Sequence, residues 1–431
     1  MNLPLISWKY LKAKPLNTTL NLLILSLGIA IIVILILLSN QLEEKLSKNA
    51  KGIDLVIGAK GSPLQLVLCN IFHIDFPTGN ISLSEARKLA SNPMVKKAIL
   101  LALGDSYESF RIIGTNHLYV EHYSATIASG KLWEEPMEVT LGSAVAEKLQ
   151  LKVGETFYGA HGMGEAVGND HEEAKYKVAG ILSFSNSVLD NLILTNIESV
   201  WNVHEHAEEE EHTKENHEGD HIHAEEKLRT NNDSLTTQNP VLAGFPKGDD
   251  DSEITSMLVK FKSPMAAITM PRIINQQTNM QAASPAFEIA RLFSIMGIGV
   301  DMLTWFAYLM VFIAVLSIFI ALYNALKERK YDLAVMRSLG SSRATLFILV
   351  IVEGVLISIL SGVLGLLLGH AVLEVIGTLV EEGQKAGITG SVILNEEIYV
   401  FVATALLGVF TAVIPAFQAY RTDISEVLAQ G

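Results

Sequence analysis

Within one short stretch, His204, His206, His212, His217, His221 and His223 alternate with Glu205, Glu208, Glu209, Glu210, Glu211, Glu215, Glu218 and Asp220. Imidazoles and carboxylates this close together are ligands for zinc or another borderline divalent metal. The spacing is irregular and matches no closed structural zinc site. Three readings stay open: a low-specificity metal-capture loop, a solvated acidic tract with incidental histidines, and a pH-responsive element. A second candidate is the mixed-charge run from Lys327 to Arg343. There Leu333, Met336 and Leu339 recur every third residue, which puts them on one side of a short helix. Gly340 can end that helix, and Ser341 or Ser342 can cap the next one. Such a helix binds lipid headgroups or docks into a groove on a soluble partner, and composition does not choose between them.

Other chemistry is sparse. Gly58-Ala59-Lys60-Gly61-Ser62 has glycines and a lysine but not the spacing of a phosphate-binding loop. It reads as a tight loop ahead of a capped helix, or a contact with a second copy near the stalk. No convincing catalytic constellation stands out, so the chain is expected not to be an enzyme. The single Cys69 rules out an internal disulfide and reads as a small buried hydrophobe. The formal net charge of −14 argues against nucleic-acid binding.

The elements that must position these residues announce themselves by hydropathy. Four apolar runs, Leu20–Leu38, Met302–Leu322, Ala344–Gly369 and Ile398–Phe417, are long enough to cross a bilayer, which takes about 20 helical residues. The first resembles a signal peptide in following Lys9, Lys12 and Lys14, but it is too long and no small-residue cleavage site follows. It is expected to be an uncleaved anchor. Lys and Arg cluster before the first run, between the second and third, and at Arg421, whereas the third-to-fourth loop holds only Lys385 against five glutamates. By the positive-inside rule both termini are cytoplasmic and the large insert lies outside.

Glu353 is the lone carboxylate of the third run and is expected to be packed and partnered. Gly354, Ser358 and Gly362 recur at every fourth position, as do Ser361, Gly365 and Gly369. Small residues at this interval let helix backbones approach closely, within the subunit or across a dimer.

The insert reads as α/β. Capped helices are expected at about 63–72 and 83–91, and a short one over Val145–Leu149. Strands are expected at Ala98–Leu103, Phe110–Gly114, Glu138–Leu141, Lys175–Ile181, Asn191–Thr195 and Ser256–Lys262. The polar composition of 204–251 predicts a mobile excursion. Ser284-Pro285 can open a helix continuous to Lys327, about 60 Å long and twice the membrane thickness. Gly297 and Gly299 are where it would break. The predicted division is therefore 1–50 for the N-terminus, first span and start of the stalk; 51–283 for an outer α/β domain; and 284–326 for the stalk and second span. It continues with 327–343 for a short cytoplasmic helix, 344–373 for the third span, 374–397 for an outer loop, and 398–431 for the fourth span and C-terminus.

Lys327-Glu328-Arg329-Lys330-Tyr331-Asp332-Leu333-Ala334-Val335-Met336-Arg337-Ser338-Leu339-Gly340, followed by an apolar helix with an early Glu353 and a glycine-rich second half, resembles the signature of the FtsX/MacB-like ABC transporter permeases. Ile414-Pro415-Ala416-Phe417-Gln418-Ala419-Tyr420-Arg421 with Glu426-Val427-Leu428 is similar to the family's closing motif, and Leu141-Gly142-Ser143-Ala144-Val145-Ala146 with Leu149 and Gly154 to part of its insert. The acidic histidine tract has no counterpart in the general pattern.

The resemblance implies a homodimer in a bacterial inner membrane, with four helices per subunit and a periplasmic domain between the first two. It implies an ABC ATPase partner that holds ATP and Mg²⁺, and a coupling helix built from Glu328, Arg329, Asp332, Met336, Arg337 and Gly340. Substrate would be exported or extracted from the periplasm or outer leaflet, with a periplasmic adaptor or lipoprotein as a further partner; a metal link, through zinc at the histidine tract, is suggested by that tract's own composition and not by the resemblance. The alternative within the same family is a cargo-free signal transmitter that activates a periplasmic hydrolase.

Overall fold

The computed structural model describes residues 3–160, 170–203, 240–248, 251–380 and 387–421. Helices α1 (Leu3–Ala13) and α2 (Pro15–Ala50) open the chain. Then come α3 (Pro63–Ile71), α4 (Leu83–Ala90), α5 (His117–His122), α6 (Ser143–Leu149) and α7 (Pro264–Gln277). The chain closes with α8 (Pro285–Glu328), α9 (Lys330–Ser338), α10 (Arg343–Leu379) and α11 (Glu396–Arg421). Among the described residues between α2 and α8 lie the strands β1 (Leu55–Ala59), β2 (Ile81–Ser82), β3 (Val95–Tyr107), β4 (Phe110–Thr115), β5 (Ile127–Gly130), β6 (Glu138–Leu141), β7 (Thr156–Ala160), β8 (Asp170–Leu182), β9 (Leu192–Thr195), β10 (Glu253–Ile254), β11 (Ser256–Phe261) and β12 (Met280–Ala283). The chain divides into a membrane unit, Met1–Glu43 with Ser294–Gly431, and a sheet unit, Glu44–Phe293.

The sheet unit is built on a mixed sheet of order β12-β1-β11-β3-β4-β9-β6-β8-β5, with β7 pairing β3 and β8. Alternation decides its layers. Leu55 and Ile57 of β1, Leu100 and Ala102 of β3, and Met257 and Val259 of β11 enter one core, which α4 and α7 cover with Ala86, Ala90, Ala266, Met270 and Ile274. Val56, Ile99, Leu101 and Leu258 from the same strands enter the opposite core, which α3 and α5 cover with Leu66, Val67, Ile71, Tyr119 and Val120. A sheet buried on both faces needs apolar residues at odd and even positions alike, which is why these strands read as near-continuous apolar runs.

Three features differ from the sequence reading. Gly58 and Ala59 belong to β1, not to a loop; a Cβ on Gly58 would lie 2.5 Å from Leu66 Cδ1, so the glycine lets α3 approach the sheet. β5, β7, β12 and α5 were not expected. The tract expected to be mobile over 204–251 is packed over 240–248. Leu242 and Phe245 are buried in the first core, and Arg87 donates to the carbonyls of Pro246 at 2.6 Å and Gly248 at 3.3 Å. The apolar pentad Val241–Phe245 supplies surface that the polar residues before it lack.

In the membrane unit, α2, α8, α10 and α11 are each long and apolar enough to cross a bilayer. α8 runs unbroken for 44 residues, about 66 Å, through Gly297 and Gly299. Trp305 and Tyr308 meet edge to face on its exposed surface, as aromatic residues do at a membrane boundary. From Trp305 to Lys327 the helix rises about 33 Å, close to one hydrocarbon thickness.

Candidate functional site

α8 stops at Glu328, and Arg329 takes a non-helical conformation (φ −96°, ψ 12°) before α9 begins. That turn swings the Arg329 side chain inward. Its Nη1 lies 3.3 Å from both carboxylate oxygens of Glu353 on α10, and its guanidinium stacks 3.9 Å from the ring centroid of Tyr10 on α1. The Arg329 and Glu353 side chains are only 14% and 8% exposed. A buried carboxylate needs such a partner, since breaking a buried pair costs about 3–5 kcal/mol. The clasp therefore joins α1, the start of α9 and α10. Lys14 pairs with Glu328 just beside it.

α9 is seated by Leu333, which packs with Leu326, Leu346, Leu349, Val350, Ala416 and Ala419; Ala334 is buried as well, and Met336 packs partly against this cluster. Its outer side presents Tyr331, Asp332, Ser338 and Leu339, the last 82% exposed. Gly340 sits at φ +101°, a conformation that disfavours any Cβ. The Gly340 amide donates to Arg337 O and the Ser341 amide to Met336 O, both at 3.0 Å, closing the helix end. Ser342, rather than Ser341, caps α10 by accepting from the Thr345 amide at 3.2 Å.

The six residues expected to meet an ATPase thus divide. Glu328 and Asp332 are exposed, Gly340 shapes the turn, and Arg337 is half-buried. Arg329 and Met336 face their own bundle.

The two small-residue stripes of α10 face different helices of the same chain. Cβ atoms on Gly354 and Gly362 would meet Ala412, Gly408 O, Phe401 and Thr404 of α11, and Ser358 lies against Gly408. Cβ atoms on Gly365 and Gly369 would meet Ser26 O, Ile29, Ala30 O and Val33 of α2. Ser361 is fully buried beside them.

At the other end of α10 lies a network that sequence reading missed. His370 Nε2 is 2.9 Å from Glu397 Oε2, and His370 Nδ1 is 2.5 Å from Gly390 O. Glu374 accepts from the Gly390 amide at 2.7 Å, and the Gln41 amide exchanges two bonds with the Thr389 backbone at 2.8 and 3.0 Å. These bonds tie the 387–395 segment to α2, α10 and α11. The span expected to end at 373 continues to Leu379, and Glu397, counted with the outer loop, is buried in α11. The available signal was that His370 and Glu397 border apolar runs, where ionisable groups rarely stand unpartnered.

The residues His204, His206, His212, His217, His221 and His223 lie outside the described residues. Among the described residues, no group of three or more His, Cys, Asp or Glu side chains could hold a metal ion.

Among the described residues, four helices long and apolar enough to cross a membrane, a short clasped helix at one end of their bundle and an inserted mixed sheet define a class of membrane protein. Residues 304–424 match the FtsX-like permease C-terminal model, and residues 18–234, half the chain, match the MacB-like periplasmic core domain. The chain belongs to the FtsX/MacB-like permease family, and is a membrane protein with a periplasmic-type domain. The periplasmic region of MacB from Actinobacillus actinomycetemcomitans aligns at 13% identity and TM-score 0.34, covering 57% of this chain and 97% of that one. The extracellular domain of the noncanonic ABC-type transporter YknZ from Gram-positive bacteria aligns at 11% and TM-score 0.29, covering 53% and 99%. No match is found among curated proteins.

Proposed function

We propose that this chain is the permease subunit of a MacB-like ABC system. Two copies would bind a separate ATPase that holds ATP and Mg²⁺, in a bacterial inner membrane, with both termini cytoplasmic. The observation that carries this reading is α9. Its inner side is locked into the bundle by Leu333, the buried Ala334 and the Arg329 clasp, while its outer side exposes Tyr331 and Asp332 in the first turn and an 82%-exposed Leu339 at the C-terminal tip. A rigidly seated helix with an exposed apolar tip suits a groove on a protein that pushes on it.

Burying a leucine contributes about 1.5–3 kcal/mol. The Leu339→Asp full-length protein is therefore expected to lose its ATPase at least about tenfold in co-purification. Full retention of the ATPase by this variant would reject the assignment. Topology has its own check. Cys69 is buried, so a cysteine placed by Ser338→Cys is the reactive thiol. It is expected to escape a membrane-impermeant maleimide in intact cells and to label after permeabilisation.

Cargo is proposed to be a lipoprotein, a hydrophobic small molecule or a metal-linked ligand drawn from the periplasm or outer leaflet. Zinc at the histidine tract is part of that proposal. Calorimetric titration of a 200–228 peptide with Zn²⁺ is expected to give heat that a His-to-Ala control lacks.

A further inference from the structure

The first helix has two unlike faces. Ser7 and Leu11 are buried, Ser7 donating to Leu349 O at 3.3 Å, and Tyr10 lies under Arg329. That face is consumed by the bundle. The opposite face carries Leu5, Trp8, Lys9 and Lys12, all exposed and within one arc of the helix, since positions 5, 8, 9 and 12 recur at helical spacing. Lys12 Nζ stands 5.3 Å over the Trp8 ring. The helix contains no carboxylate. Only Lys14 separates its last residue, Ala13, from Pro15, the first residue of a span-length helix. Pro15 lacks an amide donor, so the helix breaks there. A helix tethered this closely to a span cannot leave the membrane surface.

We propose that the Leu5–Trp8–Lys9–Lys12 face of α1 lies in the membrane interface and binds acidic phospholipid headgroups. Trp8 and Leu5 enter the acyl boundary, and the lysine ammoniums reach up to phosphate. Charge complementarity and the tether to α2 favour lipid over an acidic protein surface. Tyr10, on the inner face of the same helix, touches Arg329, so lipid bound here would bear on the start of α9. The inference does not depend on the ATPase reading, because it concerns only α1 and the bilayer.

The test places the full-length protein in nanodiscs of phosphatidylcholine, with either brominated phosphatidylglycerol or brominated phosphatidylcholine at equal mole fraction. The Trp8 signal is obtained by subtracting a Trp8→Phe protein. Each near-surface lysine contributes about fivefold, so phosphatidylglycerol is expected to be preferred roughly 30-fold. The preference should fall near unity in Lys9→Gln/Lys12→Gln and be unaffected by inorganic phosphate. Equal quenching by both lipids, or displacement by free phosphate, would overturn the proposal. So would a Trp8 signal that neither lipid quenches and only an added ATPase shields, which would assign the face to a protein.

Discussion

Arg329 shows how much one side chain can be asked to do. It pairs with Glu353 and stacks on Tyr10, so removing it leaves a buried carboxylate alone. Arg329→Met is expected to lower unfolding stability in detergent by about 3–5 kcal/mol, while Arg329→Met/Glu353→Leu should recover most of that loss. Additive losses in the double variant would show that the pair is not coupled. Lysine should substitute poorly, because it lacks the planar group that stacks on Tyr10.

In the sheet unit, burial, aided by Arg111, holds His73 at about 3, and burial, aided by Lys97 and Lys260, holds His122 at about 4. Their ordinary value is 6.5, so below it the unfolded chain binds protons that the fold refuses. Stability of this unit is expected to be full above pH 6.5. It should fall as pH drops from 6.5 through about 4 for His122 and on toward about 3 for His73. A pH series of unfolding midpoints should show a shallower slope in His73→Asn/His122→Gln.

Among the elements, α10 carries the sharpest contrast. Gly365 leaves 2.7 Å between an added Cβ and Ile29 Cβ, and 2.8 Å to Ser26 O. Gly365→Leu is expected to cost about 1–3 kcal/mol or more by overpacking, measured as loss of folded protein in detergent. Gly297 and Gly299 of α8 have nothing within 4 Å of an added Cβ. Ala at either should instead stabilise by up to about 1 kcal/mol through helix propensity.

The apolar runs, α9, the caps at Ser62 and Ser342 and the strands β4, β6 and β9 were legible because each is announced locally, by hydropathy, spacing or a capping residue. Strands β1, β5, β7 and β12 were not. β5 is exposed along its length, and β1 and β12 are short segments whose pairing partners lie far along the chain. Pairing of that kind leaves little local trace.

For the molecule as a whole, the division into a spanning bundle and an inserted sheet follows from solvent preference alone. Segments of about 20 apolar residues have no other stable place, and the polar stretch between the first two cannot enter the bilayer. Composition therefore determined the class of molecule, its membrane segments and the loop between the second and third. It also picked out Glu353 as needing a partner and the small-residue stripes as packing seams. Which partner and which seam only the tertiary structure decided. Arg329 lies 24 residues from Glu353, His370 lies 27 from Glu397, and Gln41 lies 348 from Thr389. Contacts at such separations depend on how helices cross, a property of their joint packing that no single segment encodes. That packing placed Arg329 in an internal clasp with Glu353 and Tyr10, and buried one face of α1 in the bundle while leaving the other exposed.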